Sequence, residues 1–577
     1  MDNLLAQANQ RAQAWLSSPA IDPASKEAIQ KLIDDSNHKV LVDSFYKELE
    51  FGTGGLRGIM GVGSNCMNKY TVGAATQGLA NYLKKSLPNK EISVAIAYDC
   101  RNNSALFAQV TADVFSANGI YVHLFPELRP TPLLSFAIRH LKCDSGVVIT
   151  ASHNPKEYNG YKAYWSDGAQ LVPPHDRNVI KEVSSIGGFE NINFLSDGGK
   201  ISRISREVEE AYYQQVDQLI PARESIKRQH DIPLVYSSLH GAGITMVPEC
   251  LSRLGFTNLI IVDEQAEPDG NFPTVQSPNP EEQSAMALAL KKAKETNAEL
   301  VMATDPDTDR VGIGIKNDTG EYFLLNGNQA FSLMMWFILK NLSTEEKKNG
   351  YIAKTIVTTE LVDTIAVKMG IDCYNTLTGF KYIAELMGHM EGKKNFVAAG
   401  EESYGYMVGD FVRDKDAVSA CAFFAALAAS AKDEGHTLYD WLIQLYVDFG
   451  FYKEGLINLV RKGAAGEHEI KQMMEQFRSA PPIGLAGKNI VRMLDYKTSI
   501  EKNMTTNVET VISLPKSDVI QFYLEDGTKI SVRPSGTEPK IKFYVSVKSE
   551  LKSTGDFEKV NAELEAMIKQ IENSLIP

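Results

Sequence analysis

Three short apolar runs in this chain are each followed at once by a compact polar cluster. The three pairs of run and cluster are residues 146–149 with 150–155, residues 300–303 with 305–310, and residues 395–399 with 400–405. Apolar runs of this length predict buried strands, and in open α/β sheets ligands bind at the carboxyl ends of the strands. The pattern therefore predicts several α/β units, each of which presents one functional loop at the end of a strand.

Residues 92–150 show the alternation of strands and helices that such a unit requires. The predicted elements are a strand at 92–97, a helix that Ser104 caps and that ends near Gly119, a strand at 120–125, a helix opened by residues 130–132, and a strand at 147–150. This βαβαβ order predicts a mostly parallel sheet that helices cover on both faces.

A chain of 577 residues is too long for one hydrophobic core, so three or four domains are expected. The α/β pattern recurs twice, whereas the last part carries short strands, a hairpin turn at Asp526-Gly527 and a final helix. The predicted domains are 1–205, 206–318, 319–452 and 453–577. We expect three similar mixed α/β sheet domains, with amphipathic helices over residues 1–50, and a smaller C-terminal antiparallel α+β domain.

The charge and the cysteines exclude several classes of partner and compartment. The formal net charge is −13, so neither nucleic acid nor an anionic membrane surface is an expected partner. The six cysteines are scattered without metal-binding spacing, which predicts free thiols in a reducing compartment. The first residues lack the pattern of a secretory leader, and no apolar run approaches the length of a membrane span. We expect a cytoplasmic protein.

The loop after the first apolar run is a candidate catalytic site. Residues 150–155, Thr-Ala-Ser-His-Asn-Pro, and residues 158–162, Tyr-Asn-Gly-Tyr-Lys, place a hydroxyl, an imidazole and a lysine on one connection. The Asn-Pro pair forces a turn and prevents a helix from starting at once. The serine could act as a nucleophile; the alternative is an ordinary turn that carries Ser and His incidentally.

The loop after the second run carries Asp305, Asp307 and Asp309. Three carboxylates at this spacing repel one another unless a cation joins them, and hard oxygen ligands suit Mg²⁺ or Ca²⁺. An EF-hand is excluded, because its sixth and twelfth positions would be Gly and Glu but are Arg310 and Lys316. Three compact ligands favour Mg²⁺, and the alternative is a solvated acidic turn.

Other segments carry groups that suit phosphate and sugar hydroxyls. Six glycines within residues 51–63 permit close approach of the backbone to a phosphate, with Arg57 as a charged ligand. Residues 378–381 and 400–405 offer acceptors and hydroxyls for sugar OH groups. Residues 533–539, Arg-Pro-Ser-Gly-Thr-Glu-Pro, predict a phosphate-binding loop. Taken singly, the alternatives are a mobile loop and a plain Pro-Gly turn.

Two basic residues, Arg413 and Lys415, are further candidates for a phosphate contact, although a lone basic residue more often forms a surface ion pair.

Four of these motifs together resemble the α-D-phosphohexomutase superfamily, and within it the phosphoglucomutase/phosphomannomutase enzymes. The motifs are Thr-Ala-Ser-His-Asn-Pro (150–155), Asp-Pro-Asp-Thr-Asp-Arg (305–310), Gly-Glu-Glu-Ser-Tyr-Gly (400–405) and Arg-Pro-Ser-Gly-Thr-Glu-Pro (533–539). They follow the family order and extend over essentially the whole chain. The resemblance implies four domains around a central cleft, three with a similar α/β core and a smaller fourth one.

The resemblance also implies a role for each matching residue. Ser152 matches the family phosphoserine, and its phosphate would complete a Mg²⁺ site formed by Asp305, Asp307 and Asp309. His153 and Lys162 match a general acid/base pair. The remaining implied residues are Arg57 in catalysis, Glu401 and Ser403 as readers of sugar hydroxyls, Thr378, Gly379, Lys381, Arg310 and Lys415 in substrate binding, and Arg533, Ser535, Gly536 and Thr537 as the grip on the non-reacting phosphate.

The implied reaction interconverts glucose 1-phosphate and glucose 6-phosphate, with Mg²⁺ as cofactor and glucose 1,6-bisphosphate as intermediate and activator. Phosphomannomutase, phosphopentomutase and glucose-1,6-bisphosphate synthase activities stay open as alternatives. The Glu-Glu-Ser form of the sugar loop is similar to that of glucose-preferring members, whereas residues 51–57 and 378–381 are similar to the subgroup that includes phosphopentomutases. The expected partners are small sugar phosphates, and the expected state is a monomer or weak dimer.

Two other classes of function fit the sequence less well. A serine hydrolase would carry Gly-x-Ser-x-Gly, which is absent, and would have no use for the aspartate loop. Consecutive side chains usually diverge, so Ser152 and His153 are not expected to form a nucleophile–base pair. A non-catalytic sugar-phosphate-binding protein would not need the serine, the acidic loop and Lys162 together.

Overall fold

A computed structural model of the chain describes residues 2–52, 55–461, 463–535 and 540–575. The chain divides into two compact units. The first comprises residues 1–326, 384–391 and 403–435, and the second comprises residues 327–383, 392–402 and 436–577.

Three helices precede the first strand, as the pattern of residues 1–50 predicts. They are α1 (Asp2–Ser17), α2 (Pro23–Asp34) and α3 (Lys39–Phe45). Trp15 makes edge-to-face contacts with the rings of Phe45 and Tyr70, at centroid distances of 5.6 and 5.5 Å. Because Tyr70 lies outside these helices, the aromatic cluster attaches them to the first α/β domain.

The first sheet combines a parallel core with two antiparallel strands. Its elements are β1 (Gly55–Ile59), α4 (Lys69–Ser86), β2 (Ser93–Tyr98), α5 (Ser104–Ala117), β3 (Tyr121–Leu124), α6 (Thr131–His140), β4 (Ser145–Ile149), β5 (Tyr158–Trp165), α7 (His175–Ser184) and β6 (Ile201–Arg203). The strand order is β1-β5-β4-β2-β3-β6. The predicted parallel core of β2, β3 and β4 is confirmed. The predicted cap is wrong, because Asn103 occupies the N-cap position and Ser104 is the first helical residue.

The second sheet has the strand order β11-β10-β9-β7-β8. Its elements are α8 (Glu207–Leu219), α9 (Arg223–Arg228), β7 (Leu234–Ser237), α10 (Val247–Arg253), β8 (Leu259–Ile261), α11 (Gln283–Thr296), β9 (Leu300–Thr304), β10 (Val311–Lys316) and β11 (Tyr322–Leu325). Strand β7 is parallel to β8 and β9, whereas β10 is antiparallel to β9 and β11. Every residue of β9 is buried, as its apolar sequence predicts.

The next part of the chain also alternates helices and strands. Its elements are α12 (Gly327–Asn341), α13 (Thr344–Asn349), β12 (Gly350–Thr355), α14 (Leu361–Met369), β13 (Asp372–Thr376), α15 (Phe380–Met390), β14 (Asn395–Gly400), β15 (Tyr406–Val408), α16 (Ala417–Asp433) and α17 (Leu438–Phe449). Strand β12 is parallel to both β13 and β14. Helix α16 belongs to the first unit, where it packs on α9 and α10.

The C-terminal part forms an eight-stranded antiparallel sheet. Its elements are β16 (Phe451–Val460), α18 (Gly463–Ser479), β17 (Gly484–Leu485), β18 (Lys488–Asp495), β19 (Ile500–Asn503), β20 (Glu509–Val511), β21 (Ile520–Leu524), β22 (Lys529–Pro534), β23 (Lys540–Ser549) and α19 (Phe557–Leu575). The predicted hairpin at Asp526-Gly527 joins β21 to β22, and Gly527 has a φ of +82°. Strand β20 is short, and its three residues are exposed.

The predicted fold class is confirmed: three domains contain mixed or parallel α/β sheets, and a smaller C-terminal domain contains an antiparallel one. The six cysteines are free, and four of them are buried. Among the helices of the described residues, none has the length and apolar character needed to cross a bilayer.

Candidate active site

Ser152 lies on the connection between β4 and β5, at the carboxyl end of a fully buried strand. Its φ is 52°, in the left-handed region that residues other than glycine seldom adopt. The amide of Ser152 donates a hydrogen bond to Oγ1 of Thr150 at 2.8 Å, which holds this turn. Strained backbone of this kind costs about 1–3 kcal/mol and is concentrated at functional sites.

The hydroxyl of Ser152 contacts two titratable side chains. It donates to Oδ2 of Asp305 at 2.7 Å, and it lies 3.1 Å from Nδ1 of His153. The expectation that the adjacent Ser and His side chains diverge is therefore wrong, because the left-handed turn at Ser152 brings them together. The pKa of His153 is lowered well below its ordinary value, first by burial and then by nearby cations.

The predicted acidic triad is a compact cluster of buried carboxylates. Asp305, Asp307 and Asp309 each offer an oxygen within 4.8 Å of the others. Oδ1 of Asp305 accepts a hydrogen bond from the amide of Asp309 at 3.0 Å, which ties the loop to itself. Oδ2 of Asp307 accepts one from the hydroxyl of Thr131 at 3.1 Å. The first two sheets thus meet at the triad, within one compact unit.

Two lysines compensate part of the negative charge. Nζ of Lys162 lies 2.7 Å from Asp307 Oδ2 and 3.2 Å from Asp309 Oδ2, and Nζ of Lys415 lies 3.1 Å from Asp309 Oδ2. Burial alone would raise the pKa of Asp309, but Lys415 and Lys162 outweigh it and lower that pKa. Burial alone would lower the pKa of Lys162, but Asp307 and Asp309 raise it. Lys162 is thereby held in its charged form.

The triad fits a divalent cation. Oδ1 of Asp307 and Oδ1 of Asp309 are buried and accept no hydrogen bond from the described residues. Burial, and then repulsion by the two neighbouring carboxylates, raises the pKa of Asp305 well above its ordinary value. Buried carboxylate oxygens without donors suit a hard cation with oxygen ligands. These three residues could therefore hold a metal ion.

A cavity of about 230 Å³ opens beside these groups. It is lined by Gly52, Gly55, Leu56, Arg57, Ser152, Tyr161, Lys162, Gln170, Asp309, Arg310 and Lys415. Nη1 of Arg57 donates to Oδ1 of Asn154 at 3.0 Å, and Arg310 forms an ion pair with Glu281. The structure thus brings together Arg57, Lys162, Arg310 and Lys415, four cations suited to phosphoryl oxygens.

The glycine-rich segment reaches this cavity through the pairing of β1 with β5. Gly55 pairs with Lys162, and its φ is +144°. A Cβ atom on Gly55 would lie 1.7 Å from the carbonyl oxygen of Tyr161, so no other residue can occupy the position without displacing the strand. Gly55 is therefore needed for the close pairing of β1 with β5. The sequence analysis instead explained the glycines of this segment by close approach of the backbone to a phosphate.

Four of the residues predicted to contact the sugar lie on two neighbouring segments of the second unit: Thr378, Gly379, Lys381 and Glu401. Oε1 of Glu401, which is buried, accepts a hydrogen bond from the amide of Gly379 at 2.9 Å. Oγ1 of Thr378 is buried without a hydrogen-bond partner among the described residues. Lys381 lies in the first turn of α15, and Nζ is 5.1 Å from the centre of the Tyr382 ring. Ser403 belongs to the first unit and is half-buried.

The predicted phosphate-binding loop follows β22. Arg533 pairs with Lys542 across β22 and β23, and the amide of Ser535 donates to the carbonyl oxygen of Lys540 at 2.7 Å. Gly536 and Thr537 lie outside the described residues, so their assignment stays a prediction.

Several side chains in contact with these loops were not identified from the sequence. Arg101 contacts the loop of Ser152, and Asp414 accepts hydrogen bonds from Tyr164 at 2.7 Å and from Lys415 at 3.2 Å. Arg101 lies three residues after the end of β2, just as Ser152 lies three residues after the end of β4, so a search for polar residues at strand ends would have found it too.

The sequence matches four consecutive family models. Their descriptions are phosphoglucomutase/phosphomannomutase alpha/beta/alpha domain I over residues 48–187, domain II over 210–320, domain III over 326–449, and the C-terminal domain over 488–563. The sites described above occur within this series of domains. The fold, together with a serine beside a triad of aspartates, thus defines the class of protein as a phosphohexomutase-type enzyme.

Curated relatives agree with this assignment. A phosphoglucomutase from Staphylococcus haemolyticus is 36% identical over 520 residues, which cover 90% of this chain and 93% of the relative. One from Staphylococcus aureus is 36% identical over 529 residues, which cover 91% and 93% of the two chains. The chain belongs to the phosphoglucomutase/phosphomannomutase family.

Solved structures share the fold. A putative phosphomannomutase from Thermus thermophilus gives a TM-score of 0.67 at 21% identity, and covers 91% of this chain and 99% of its own. The open form of the Paramecium phosphoprotein parafusin, a phosphoglucomutase, gives a TM-score of 0.66 at 19% identity and covers 91% of this chain and 96% of its own.

Proposed function

We propose that this enzyme interconverts glucose 1-phosphate and glucose 6-phosphate through a phosphoserine at position 152 and a glucose 1,6-bisphosphate intermediate. The observation that carries the proposal is the serine hydroxyl held 2.7 Å from a carboxylate of a buried acidic triad, in a chain whose curated relatives are phosphoglucomutases. A lone serine in a turn would need neither the triad nor the cations beside it.

In the first half-reaction, the 6-hydroxyl oxygen of glucose 1-phosphate attacks the phosphorus of phosphorylated Ser152. The new O–P bond forms as the bond from phosphorus to the serine Oγ breaks, and the proton of the sugar hydroxyl is finally returned to Oγ. We assign this proton movement to His153 and Lys162. The position of His153 Nδ1, 3.1 Å from Oγ, supports this assignment.

In the second half-reaction, the bisphosphate turns end for end and Ser152 takes the phosphoryl group from the 1-position. The bond from phosphorus to the sugar oxygen breaks as the serine ester forms again, the proton of the serine hydroxyl passes to that sugar oxygen, and glucose 6-phosphate leaves. The cations Arg57, Arg310 and Lys415, which line the cavity, would bind the phosphoryl oxygens while the group is transferred.

The rest of the substrate must also be bound. We propose that the non-reacting phosphate is bound by Arg533, Ser535, Gly536 and Thr537. We propose that the sugar hydroxyls are bound by Glu401 and Ser403, with Thr378, Gly379 and Lys381 beside the sugar. The hydroxyl of Thr378 is buried without a hydrogen-bond partner in the described part of the chain, which supports a polar ligand at this loop.

We propose Mg²⁺ as the metal, held by Asp305, Asp307, Asp309 and an oxygen of the phosphorylated Ser152. When bound, it would supply positive charge that stabilises the negative charge developing on the transferred group. The small, all-carboxylate donor set supports a hard cation of this size. A cytoplasmic location and a monomeric or weakly dimeric state stay predictions; the free cysteines suit a reducing compartment.

Substrate preference is the direct test of this proposal. With glucose 1,6-bisphosphate and Mg²⁺ present, we expect kcat/KM to be highest on glucose 1-phosphate, and at least about tenfold lower on mannose 1-phosphate and ribose 1-phosphate. Coupled assays of product formation measure all three rates. A higher rate on mannose 1-phosphate or ribose 1-phosphate would reassign the enzyme to the corresponding mutase.

Replacing Glu401 by glutamine should weaken sugar binding with little effect on the fold. The amide oxygen of the glutamine can still accept the hydrogen bond from Gly379, but the charge that strengthens a bond to a sugar hydroxyl is lost. We expect KM for glucose 1-phosphate to rise about tenfold. The control is Glu475→Gln in the same unit, whose side chain is 62% exposed. Equal KM values in the two variants would remove Glu401 from the sugar site.

A further inference from the structure

Arg101 makes an unusual set of contacts with the loop that carries Ser152. Its Nη2 donates to the carbonyl oxygen of Ser152 at 2.6 Å and to that of Asn154 at 2.5 Å. Its Nη1 donates to the carbonyl oxygens of Pro155 at 2.9 Å and Tyr158 at 3.0 Å. One guanidinium group thus binds four backbone carbonyls of a single connection.

The guanidinium is itself held in place. Its Nε lies 3.3 Å from Oδ2 of Asp99, and both side chains are fully buried. Oδ1 of Asp99 accepts hydrogen bonds from the hydroxyl of Ser104 at 2.7 Å and from the amide of Arg101 at 2.9 Å. Moving the guanidinium away from Asp99 would leave a buried charge without its partner, which is strongly unfavourable. The ion pair therefore holds the guanidinium in one position.

The turn that carries Arg101 also contacts residues 270–272 of the second α/β domain. The Phe272 ring lies 5.1 Å from Cζ of Arg101, and Asn102 donates to the side chain of Asn271 at 3.1 Å. A Cβ atom on Gly270 would lie 2.3 Å from the amide of Asn102. The segment at 270–272 follows β8, in the domain whose loop carries the acidic triad, so Arg101 contacts both parts that form the site.

The four carbonyls explain why an arginine is needed. The loop turns in the left-handed region at Ser152 and forms no regular strand or helix before β5 begins at Tyr158, so the carbonyls of Ser152 and Asn154 need donors from elsewhere. The guanidinium is planar and offers five N–H donors in a fixed fork, whereas an ammonium group is a point with three donors. Lysine at this position would leave some of these carbonyls without a donor.

We infer that Arg101 is a positioning residue of the mutase reaction: it fixes the loop of residues 152–158 so that the hydroxyl of Ser152 faces the acidic triad. It touches neither the substrate nor the transferred group and acts only through the loop. The inference rests on the proposed function, because it takes Ser152 to be the group that carries the phosphate.

The test compares Arg101→Lys with Arg11→Lys in the full-length protein. Arg11 is a matched control, because its Nη1 donates to the carbonyl oxygens of Phe45 and Tyr46 in the N-terminal helices. For Arg101→Lys we expect kcat per folded molecule to fall about 100-fold, because a small displacement of the reacting oxygen is costly. KM for glucose 1-phosphate should change less than about threefold, since the residues proposed to bind the substrate are unchanged.

Hydrogen exchange provides a readout that does not need activity. The amides of residues 150–160 should exchange at least about tenfold faster in Arg101→Lys than in the wild type, and at an unchanged rate in Arg11→Lys. If Arg101→Lys does not fold, Asp99→Asn carries the test. It keeps the four carbonyl contacts but loses the charge that orients them, and it should lower kcat about tenfold with the same selective loss of protection.

The outcomes separate the two proposals. Suppose that the wild type isomerises glucose 1-phosphate. The role of Arg101 is then overturned if kcat of Arg101→Lys lies within about threefold of the wild-type value, or if its loss of activity only reflects the unfolded fraction. A wild-type protein without any mutase activity would overturn the proposed function instead, and the exchange rates at 150–160 would still decide whether Arg101 fixes the loop.

Discussion

Replacing Ser152 by alanine is expected to abolish mutase turnover, with a loss of at least about 10⁴-fold in kcat, because no other group in the proposed mechanism can carry the phosphate. The fold should tolerate the change. The serine hydroxyl gives one hydrogen bond to Asp305, so the free energy of unfolding should change by about 1 kcal/mol. Isomerisation of glucose 1-phosphate and thermal unfolding measure the two effects.

The control for this substitution is Ser430→Ala. Ser430 is also buried, but its hydroxyl donates to a carbonyl oxygen of its own helix, that of Ala426 in α16, at 2.8 Å. Its loss should leave both activity and stability close to those of the wild type. Incubation with glucose 1,6-bisphosphate should add one phosphate to the wild type and to Ser430→Ala, but none to Ser152→Ala. A phosphorylated Ser152→Ala protein, or one that still turns over, would refute the assignment of the phosphoserine.

Replacing Asp307 by asparagine is expected to lower kcat about 10³-fold, since the change removes the negative charge of one of the three proposed carboxylate ligands. The amide oxygen can still accept the hydrogen bond from Lys162, so the local packing should persist. Mg²⁺ at 100 times its dissociation constant would stabilise the wild type by about 2.7 kcal/mol. We expect this stabilisation to be lost in Asp307→Asn, and thermal unfolding with and without Mg²⁺ measures it.

Asp263→Asn is the matched control, because the Asp263 side chain is 85% exposed in the same unit. It should keep both the activity and the response to Mg²⁺. The same two measurements also test the choice of metal, since Ca²⁺ should raise the unfolding temperature without supporting the same turnover. A variant at position 307 that is stabilised by Mg²⁺ as strongly as the wild type would exclude this residue as a ligand.

Much of the site could be predicted because its residues are local in sequence. Asp305, Asp307 and Asp309 are spaced so that one loop brings them together, and Ser152 and Lys162 flank a single turn. The strands before these loops are buried throughout, which makes an apolar run easy to recognise. Local spacing and position at strand ends were enough to select these residues as candidates.

What was missed depends on contacts between distant residues. Arg101 binds carbonyls 51 to 57 positions further along the chain, and Thr131 contacts Asp307 across 176 positions. The antiparallel strands β1 and β5 were not predicted, because their pairing depends on the bare backbone of Gly55 opposite Lys162. The contact of Ser152 with His153 depends on a positive φ, which side-chain identity alone does not reveal.

The two lysines beside Asp309 give the protein its own counterions. Because Lys162 and Lys415 already neutralise part of the acidic cluster, removal of the proposed divalent ion by a chelator should not force the carboxylates apart. The stripped enzyme should therefore stay folded and regain activity on dialysis back into Mg²⁺. Purification in the presence of EDTA would then give a stable resting form, to which different ions can be added one at a time.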